Sequence, residues 1–485
     1  MTMWRMSVLT GMAMAIATVS LGEELGVVEL TERRLKTPDG REYMADMGTF
    51  TVPENRANPD SNVIKLGIMR VKSTSDNPGP PIFILAGGPG GSSIENLRNY
   101  LNASEKLLAL GDLVGVDQRG VSKSRPNLNR FFFRVLPFDE PTDREKVLAA
   151  YCEVIEDSKA YWKEKGVDLR GYTTEESADD INAVREALGY ESMRLFGRSY
   201  GSHLGLSIMR RHGDDVASAV FQGIEGPDHT FKTPSQIQTG LEKVAALVAA
   251  DPALNEKIPD FIALVSRVLE KLDTEPREVE VDLGKTQGMK TVTVSKTDVQ
   301  YWTANNIGRN SSMVGVPAAY YAMDHGDFDE LARFVVQTRR ITIQSAMAPI
   351  TDCASGMTQA RRKRITREAG ETTLGDVVNG PYPDICDCWE APDLGDEFRG
   401  ALKSDVPVLL ICGDLDSRTP ESNARELMPG LSNSRLIIVK NAGHDPRLFT
   451  SKESVNAAAN FFRDGTVEAE TIEFPRPELK PLVSY

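Results

Sequence analysis

Ser199 stands in Gly197-Arg198-Ser199-Tyr200-Gly201, a G-x-S-x-G pattern. A serine between two glycines suits a sharp strand-to-helix turn, where bulkier neighbours would clash and the hydroxyl is pushed clear of the sheet. The apolar run Met193 to Phe196 before it and the small-residue stretch Gly201-Ser202-His203-Leu204-Gly205 after it supply the strand and helix that such a turn needs. A serine hydroxyl is a poor nucleophile without a base, and on this kind of turn the acid and then the histidine follow in chain order. Of the five histidines, His203, His212, His229, His325 and His444, only His444 lies beyond the apolar run Val406 to Cys412, whose end should carry the acid. It sits in Asn441-Ala442-Gly443-His444-Asp445, just past the run Leu436 to Val439. The acid is expected between Gly413 and Pro420, which offers Asp414 and Asp416. Asp416 is favoured, because Asp414 adjoins the strand end and suits the turn, while Thr419-Pro420 opens the next helix.

Acyl transfer also needs two backbone donors for a developing oxyanion. Tyr200, next after the serine, supplies one. Gly88, in Leu85-Ala86-Gly87-Gly88-Pro89-Gly90-Gly91, is expected to supply the other, since Pro89 has no N–H. That glycine loop lacks the Lys-Ser/Thr of a phosphate-binding loop. Glu225 directly follows the run Ala217 to Phe221 and should emerge at the same sheet edge as Ser199. There it could pair with the terminal ammonium of a peptide; the competing role is a helix cap or an arginine partner. The chemistry requires no cofactor. A zinc site at Cys386-Asp387-Cys388 is not expected, because no histidine has ligand spacing to it.

These residues need a sheet buried on both faces to hold them. Short apolar runs bounded by turn residues, Pro81 to Ala86, Leu113 to Val116 and the four already named, alternate with helical patterns. That rhythm predicts a mostly parallel sheet with helices on both sides, preceded by antiparallel strands around Met47 to Val52 and Val63 to Val71. Thr173 with Glu176 predicts a capping box, followed by an apolar face at Ala178, Ile181, Val184 and Leu188 and a stop at Gly189. From about residue 228 to 399 helical patterns dominate, including Ile237 to Ala250 and Pro259 to Leu272, with a hairpin from Val279 to Val294. The expected division is a signal peptide over 1–22, a first core part over 23–227, a cap insertion over 228–399 and a second core part over 400–485.

The chain has 485 residues, 40% hydrophobic and 26% charged, and a net charge of −14. That balance suits a globular fold and argues against a nucleic-acid partner. The basic cluster Arg361-Arg362-Lys363-Arg364 with Arg367 reads as a solvated helix face. An uncharged run from Met6 to Leu21 follows Arg5 and is shorter than the roughly 20 residues that cross a bilayer. It reads as a signal peptide cleaved after Gly22, with Ala17 as an alternative, so stable membrane insertion is not expected after cleavage. Export permits disulfides. Cys412 reads as a buried free thiol, leaving Cys152, Cys353, Cys386 and Cys388 for up to two bridges, with at most one of the last pair joined to Cys353.

Five motifs in order, Gly87-Gly88-Pro89-Gly90, Asp117-Gln118-Arg119-Gly120, Gly197-Arg198-Ser199-Tyr200-Gly201, Gly413-x-x-Asp416-x-x-Thr419-Pro420 and Gly443-His444, resemble the prolyl aminopeptidase and secreted tripeptidyl aminopeptidase family. The resemblance implies an α/β-hydrolase fold with an inserted, mainly helical cap. It also implies an exopeptidase acting on peptides with a free N-terminus, and it gives the same triad: Ser199, Asp416 and His444. Ala86 replaces the histidine usual in prolyl iminopeptidases, as in the tripeptidyl branch, which argues against strict proline specificity. Ser122 stands where a glycine is usual. Asp117 and Arg119 are read as holding the loop near the site. The rival readings are a carboxylic ester hydrolase on the same fold and a non-catalytic binding protein. On the export reading, the intact mass of protein recovered outside the cytoplasm should correspond to a chain beginning near Glu23; a mass that includes the first 22 residues would overturn it.

Overall fold

The computed structural model describes residues 24–37 and 39–483. The expected signal segment, 1–22, lies outside the described residues. Ten strands form the central sheet: β1 (Val28–Lys36), β2 (Glu42–Pro53), β3 (Val63–Val71), β4 (Ile82–Leu85), β5 (Leu113–Val116), β7 (Met193–Ser199), β8 (Val216–Ile224), β12 (Val408–Gly413), β13 (Ser434–Lys440) and β14 (Thr471–Glu473). β6 (Asn129–Val135) pairs instead with β11 (Arg340–Ser345), and β9 (Arg277–Asp282) with β10 (Met289–Val294).

The sheet order is β1-β2-β3-β5-β4-β7-β8-β12-β13-β14, antiparallel through β3 and parallel from β5 onward. This is the predicted α/β sheet. The chain order reverses between β4 and β7, and a crevice opens at such a switch beyond the carboxyl ends of the strands. Successive side chains alternate between two apolar cores: Phe83 and Leu85 of β4 pack on one face, Ile82 and Ile84 on the other.

Around the sheet, helix α1 (Ser93–Ala103) follows β4, helix α3 (Thr174–Ala187) precedes β7 and helix α4 (Tyr200–His212) follows it. Thr173 caps α3, its hydroxyl accepting from the Glu176 N–H at 3.2 Å. The reciprocal half of the expected capping box is missing, because the Glu176 carboxylate is taken by Arg56.

The expected cap has its own apolar cluster, built from Ile237, Leu241, Leu264, Val268 and Trp302 among others. Residues 129–164, assigned by the sequence to the first core part, also pack against the expected cap. β6 pairs with β11, and helix α2 (Arg144–Glu164) packs its Val154 and Ile155 in one cluster with Ile341, Ile343 and Ile350.

Two disulfides fasten this assembly. Cys152–Cys388 joins α2 to the cap across 236 residues, and Cys353–Cys386 closes a shorter loop. Cys412 is buried and unbridged. Thiol titration without reductant should therefore find one free cysteine after unfolding and none in the native protein; more than one would refute the bridges. A cross-link closing so long a loop restricts the unfolded chain strongly, so replacing Cys152 and Cys388 by serine should lower unfolding free energy by about 2–5 kcal/mol in denaturant titrations.

Candidate functional site

Ser199 ends β7 and precedes α4 with φ 52° and ψ −129°, a left-handed backbone that a residue with a side chain adopts only under constraint. The constraint is close packing on both sides. A Cβ at Gly197 would lie 2.4 Å from the Gly201 carbonyl oxygen, and one at Gly201 would lie 2.2 Å from that of Leu85.

Three groups from three separate loops meet at this turn. Ser199 Oγ is 3.1 Å from His444 Nε2, and His444 Nδ1 is 2.7 Å from Asp416 Oδ2. With Nδ1–H donating to the carboxylate, Nε2 is left to accept the serine proton. Asp416 is 1% exposed, and its carboxylate also accepts from the backbone N–H groups of Arg418 and Thr419 and from the Thr419 hydroxyl, at 2.7–2.9 Å. Burial alone would raise this carboxyl. The His444 charge and the hydrogen bonds from His444 and Thr419 outweigh burial and hold it below its ordinary value. Asp414 accepts from the Asn441 N–H at 2.7 Å, within the turn.

The His444 loop is braced by the cap. The His444 N–H donates to Gly308 O at 2.7 Å, the Asn310 side-chain oxygen accepts from Gly443 N–H at 2.6 Å, and Asp445 accepts from Asn310 N–H at 2.8 Å. Phe449 sets its ring edge-on to the imidazole, 4.8 Å between centroids.

Ser199 and His444 open into a cavity of about 1120 Å³, which Gly88 and Glu225 also line. Tyr200 begins α4, so its N–H has no partner within the helix, while its buried hydroxyl bonds Thr174 Oγ1 at 3.0 Å. Glu225 already has a cation, Lys232, whose Nζ lies 2.9 Å from Oε2; Oε1 makes no hydrogen bond among the described residues. The partner is a lysine seven residues on, where the sequence suggested an arginine or a helix cap.

Sequence reasoning missed Asp352, which lines the same cavity from the helix Met347–Ser355. Burial pushes its carboxyl well above the ordinary range, and the Glu225 charge adds to the rise. Nothing in Thr351-Asp352-Cys353 marks a site; the residue is brought in by the docking of the cap.

Other residues singled out in the sequence sit elsewhere. Asp117 accepts from Ser92 Oγ at 2.7 Å and from the Ile94 N–H, tying the start of α1 to the end of β5 beneath the glycine loop. Arg119 is fully buried in a fork on Asp180 at 2.7 and 2.8 Å. In the basic cluster, Arg361 departs from the expected solvated face: it is buried, with Nε donating to Phe231 O at 2.8 Å. Among the described residues, no group of three or more His, Cys, Asp or Glu is placed to hold a metal ion, and no helix is long and apolar enough to cross a membrane.

The sequence matches the α/β hydrolase fold family over residues 80–449. It is similar to the serine protease Hip1 of Mycobacterium tuberculosis, 29% identical over 238 residues, 47% of this chain and 44% of that protein. It is similar also to the tripeptidyl aminopeptidase of Streptomyces lividans, 29% identical over 196 residues, 37% of this chain and 35% of the relative. A third relative is the proline iminopeptidase of Xylella fastidiosa, 27% identical over 146 residues, 30% of this chain and 33% of the relative. The match thus covers less than half the length of each of these three relatives. The last two names are those of the family that the five ordered motifs resemble.

The Asp352 environment has a consequence for stability. A carboxyl whose pKa is higher folded than unfolded supports folding only while protonated. Its contribution is complete below about pH 4 and is lost as pH rises through the folded value. Asp352→Asn, neutral at every pH, should therefore raise Tm by roughly 1–3 °C at pH 8 and by less at pH 4. A gain that shrinks as pH rises would contradict this environment.

Proposed function

Because the chain belongs to the α/β hydrolase fold family, we propose that it is an exported serine exopeptidase that removes residues from peptide N-termini through an acyl-enzyme. The observation that carries this reading is the unbroken hydrogen-bonded series Ser199, His444, Asp416 at 3.1 and 2.7 Å, opening into a cavity that also presents Glu225. His444 Nε2 takes the serine proton as Oγ attacks the scissile carbonyl, and Asp416 stabilises the imidazolium that forms. The Gly88 and Tyr200 N–H groups receive the oxyanion. His444 then protonates the leaving amine, and a water activated by the same imidazole hydrolyses the acyl-enzyme.

The exopeptidase part of the proposal is supported by Glu225 and by the peptidases among the relatives. A substrate ammonium has the free Oε1 of Glu225 available while Lys232 keeps Oε2. Export is supported by the charged and then apolar start of the sequence and by the two disulfides. The division into core parts over 23–227 and 400–485 around a cap over 228–399 is proposed with residues 129–164 moved to the cap.

Ser199→Ala or His444→Ala should lower kcat by roughly 10⁴ to 10⁶, and Asp416→Asn by about 10⁴, because the histidine loses its tautomer. A crippling Asp414→Asn beside a mild Asp416→Asn would reassign the acid. Glu225→Gln should lower kcat/KM by about 10² or more on free-amine peptides and much less on small neutral esters. Equal losses on both, or efficient cleavage of N-acetylated peptides by the parent protein, would favour the ester hydrolase reading.

A further inference from the structure

The cavity around Ser199 holds more positive charge than the triad uses, in a chain whose net charge is −14. Most of it is occupied. Lys232 is spent on Glu225, and Arg198 donates to Asn96 Oδ1 at 2.6 Å and lies over the Phe449 ring, 5.5 Å from its centroid. Lys452 is exposed at the rim. Two guanidiniums remain, those of Arg309 and Arg418, and neither has a carboxylate or any other acceptor among the described residues.

Their backbones are fixed by the triad's own supports. The Arg418 N–H donates to Asp416 Oδ1 at 2.8 Å. Arg309 lies between Gly308, which accepts from the His444 N–H, and Asn310, which holds Gly443. The two side chains are close enough to repel: burial first, then the Arg309 charge, lowers the Arg418 pKa, and the more distant charges of Asp416 and Glu225 offset this only in part. Arg418, half-buried and beside the like charge of exposed Arg309, is stabilised when an anion visits the pair, and both planar forks match a carboxylate. None of the cavity's own carboxyls hydrogen-bonds to either guanidinium: Glu225 holds Lys232, Asp445 accepts from Asn310, and burial keeps Asp352 from ionising readily.

We infer that Arg309 and Arg418 form a carboxylate-binding subsite beside Ser199, so that the preferred substrates carry an anionic carboxylate near the bond that is cut. This rests on Ser199 acting as an acyl-transfer nucleophile. The carboxylate is either the C-terminus of a short peptide or the side chain of an Asp or Glu residue.

Matched substrate pairs separate these sources and test the subsite. The pairs are a short free-amine peptide with a free against an amidated C-terminus, the same amidated peptide with Glu against Gln flanking the scissile bond, and nitrophenyl monoglutarate against nitrophenyl pentanoate. In at least one pair the anionic member should have the higher kcat/KM, by roughly 10- to 100-fold. The pair that discriminates names the source. That ratio should fall at least fivefold in Arg418→Gln and in Arg309→Gln, be retained better in Arg418→Lys, and shrink between 0.05 and 0.5 M salt. Ratios within twofold in every pair, or ratios unchanged in both glutamine variants, overturn the subsite. Arg309 is exposed, so its variant still judges the proposal if Arg418→Gln does not fold. Cleavage of esters but of no peptide would defeat the exopeptidase reading, while the ester pair would still judge the arginines.

Discussion

Everything at the site depends on how closely β4 and β7 approach where the chain turns into α4. Ser199 takes a positive φ because the backbone at Gly197 and Gly201 lies against neighbouring carbonyl oxygens, with no room for a side chain. That contact fixes the hydroxyl above the sheet and brings the glycine loop after β4 alongside it: a Cβ at Gly87 would stand 3.0 Å from Ser199 Cβ. The strain at one residue is offset by the burial of β4, apolar throughout, and of Met193, Leu195 and Phe196 in β7. Asp416 and His444 follow β12 and β13, parallel neighbours whose ends open at the same edge.

Charge is distributed against the grain of the molecule. The surface is acidic, yet the cavity gathers arginines and lysines, and its carboxyls are paired or pushed toward the neutral form. Low-dielectric surroundings strengthen each of these interactions relative to water, so the field at Ser199 is set by a handful of residues rather than by net charge.

What could be read in the sequence follows from how local each signal is. β4, β5 and β12 were legible because burial on both faces leaves a continuous apolar run. β1, Val28–Lys36, was not, because its edge position leaves charged residues on it and only Leu35 fully buried. The Thr173 cap was visible, but the fate of Glu176 depended on Arg56, 120 residues away in sequence. That Ser199, Asp416 and His444 should come together was legible because they follow strand ends in a set order. Asp352 and Lys232 were missed because cap docking places them, and no motif records it. The cysteine count allowed two bridges, but pairing Cys388 with Cys152 needed the three-dimensional path of α2.

The hydrogen bonds that tie the His444 loop to Gly308 and Asn310 make the cap something other than a lid laid over a finished site. The His444 imidazole is hung partly from the insertion, so the shape of the cavity and the position of that ring share one mechanical linkage. A cap that lifted away as a whole would drop the imidazole out of register with Ser199.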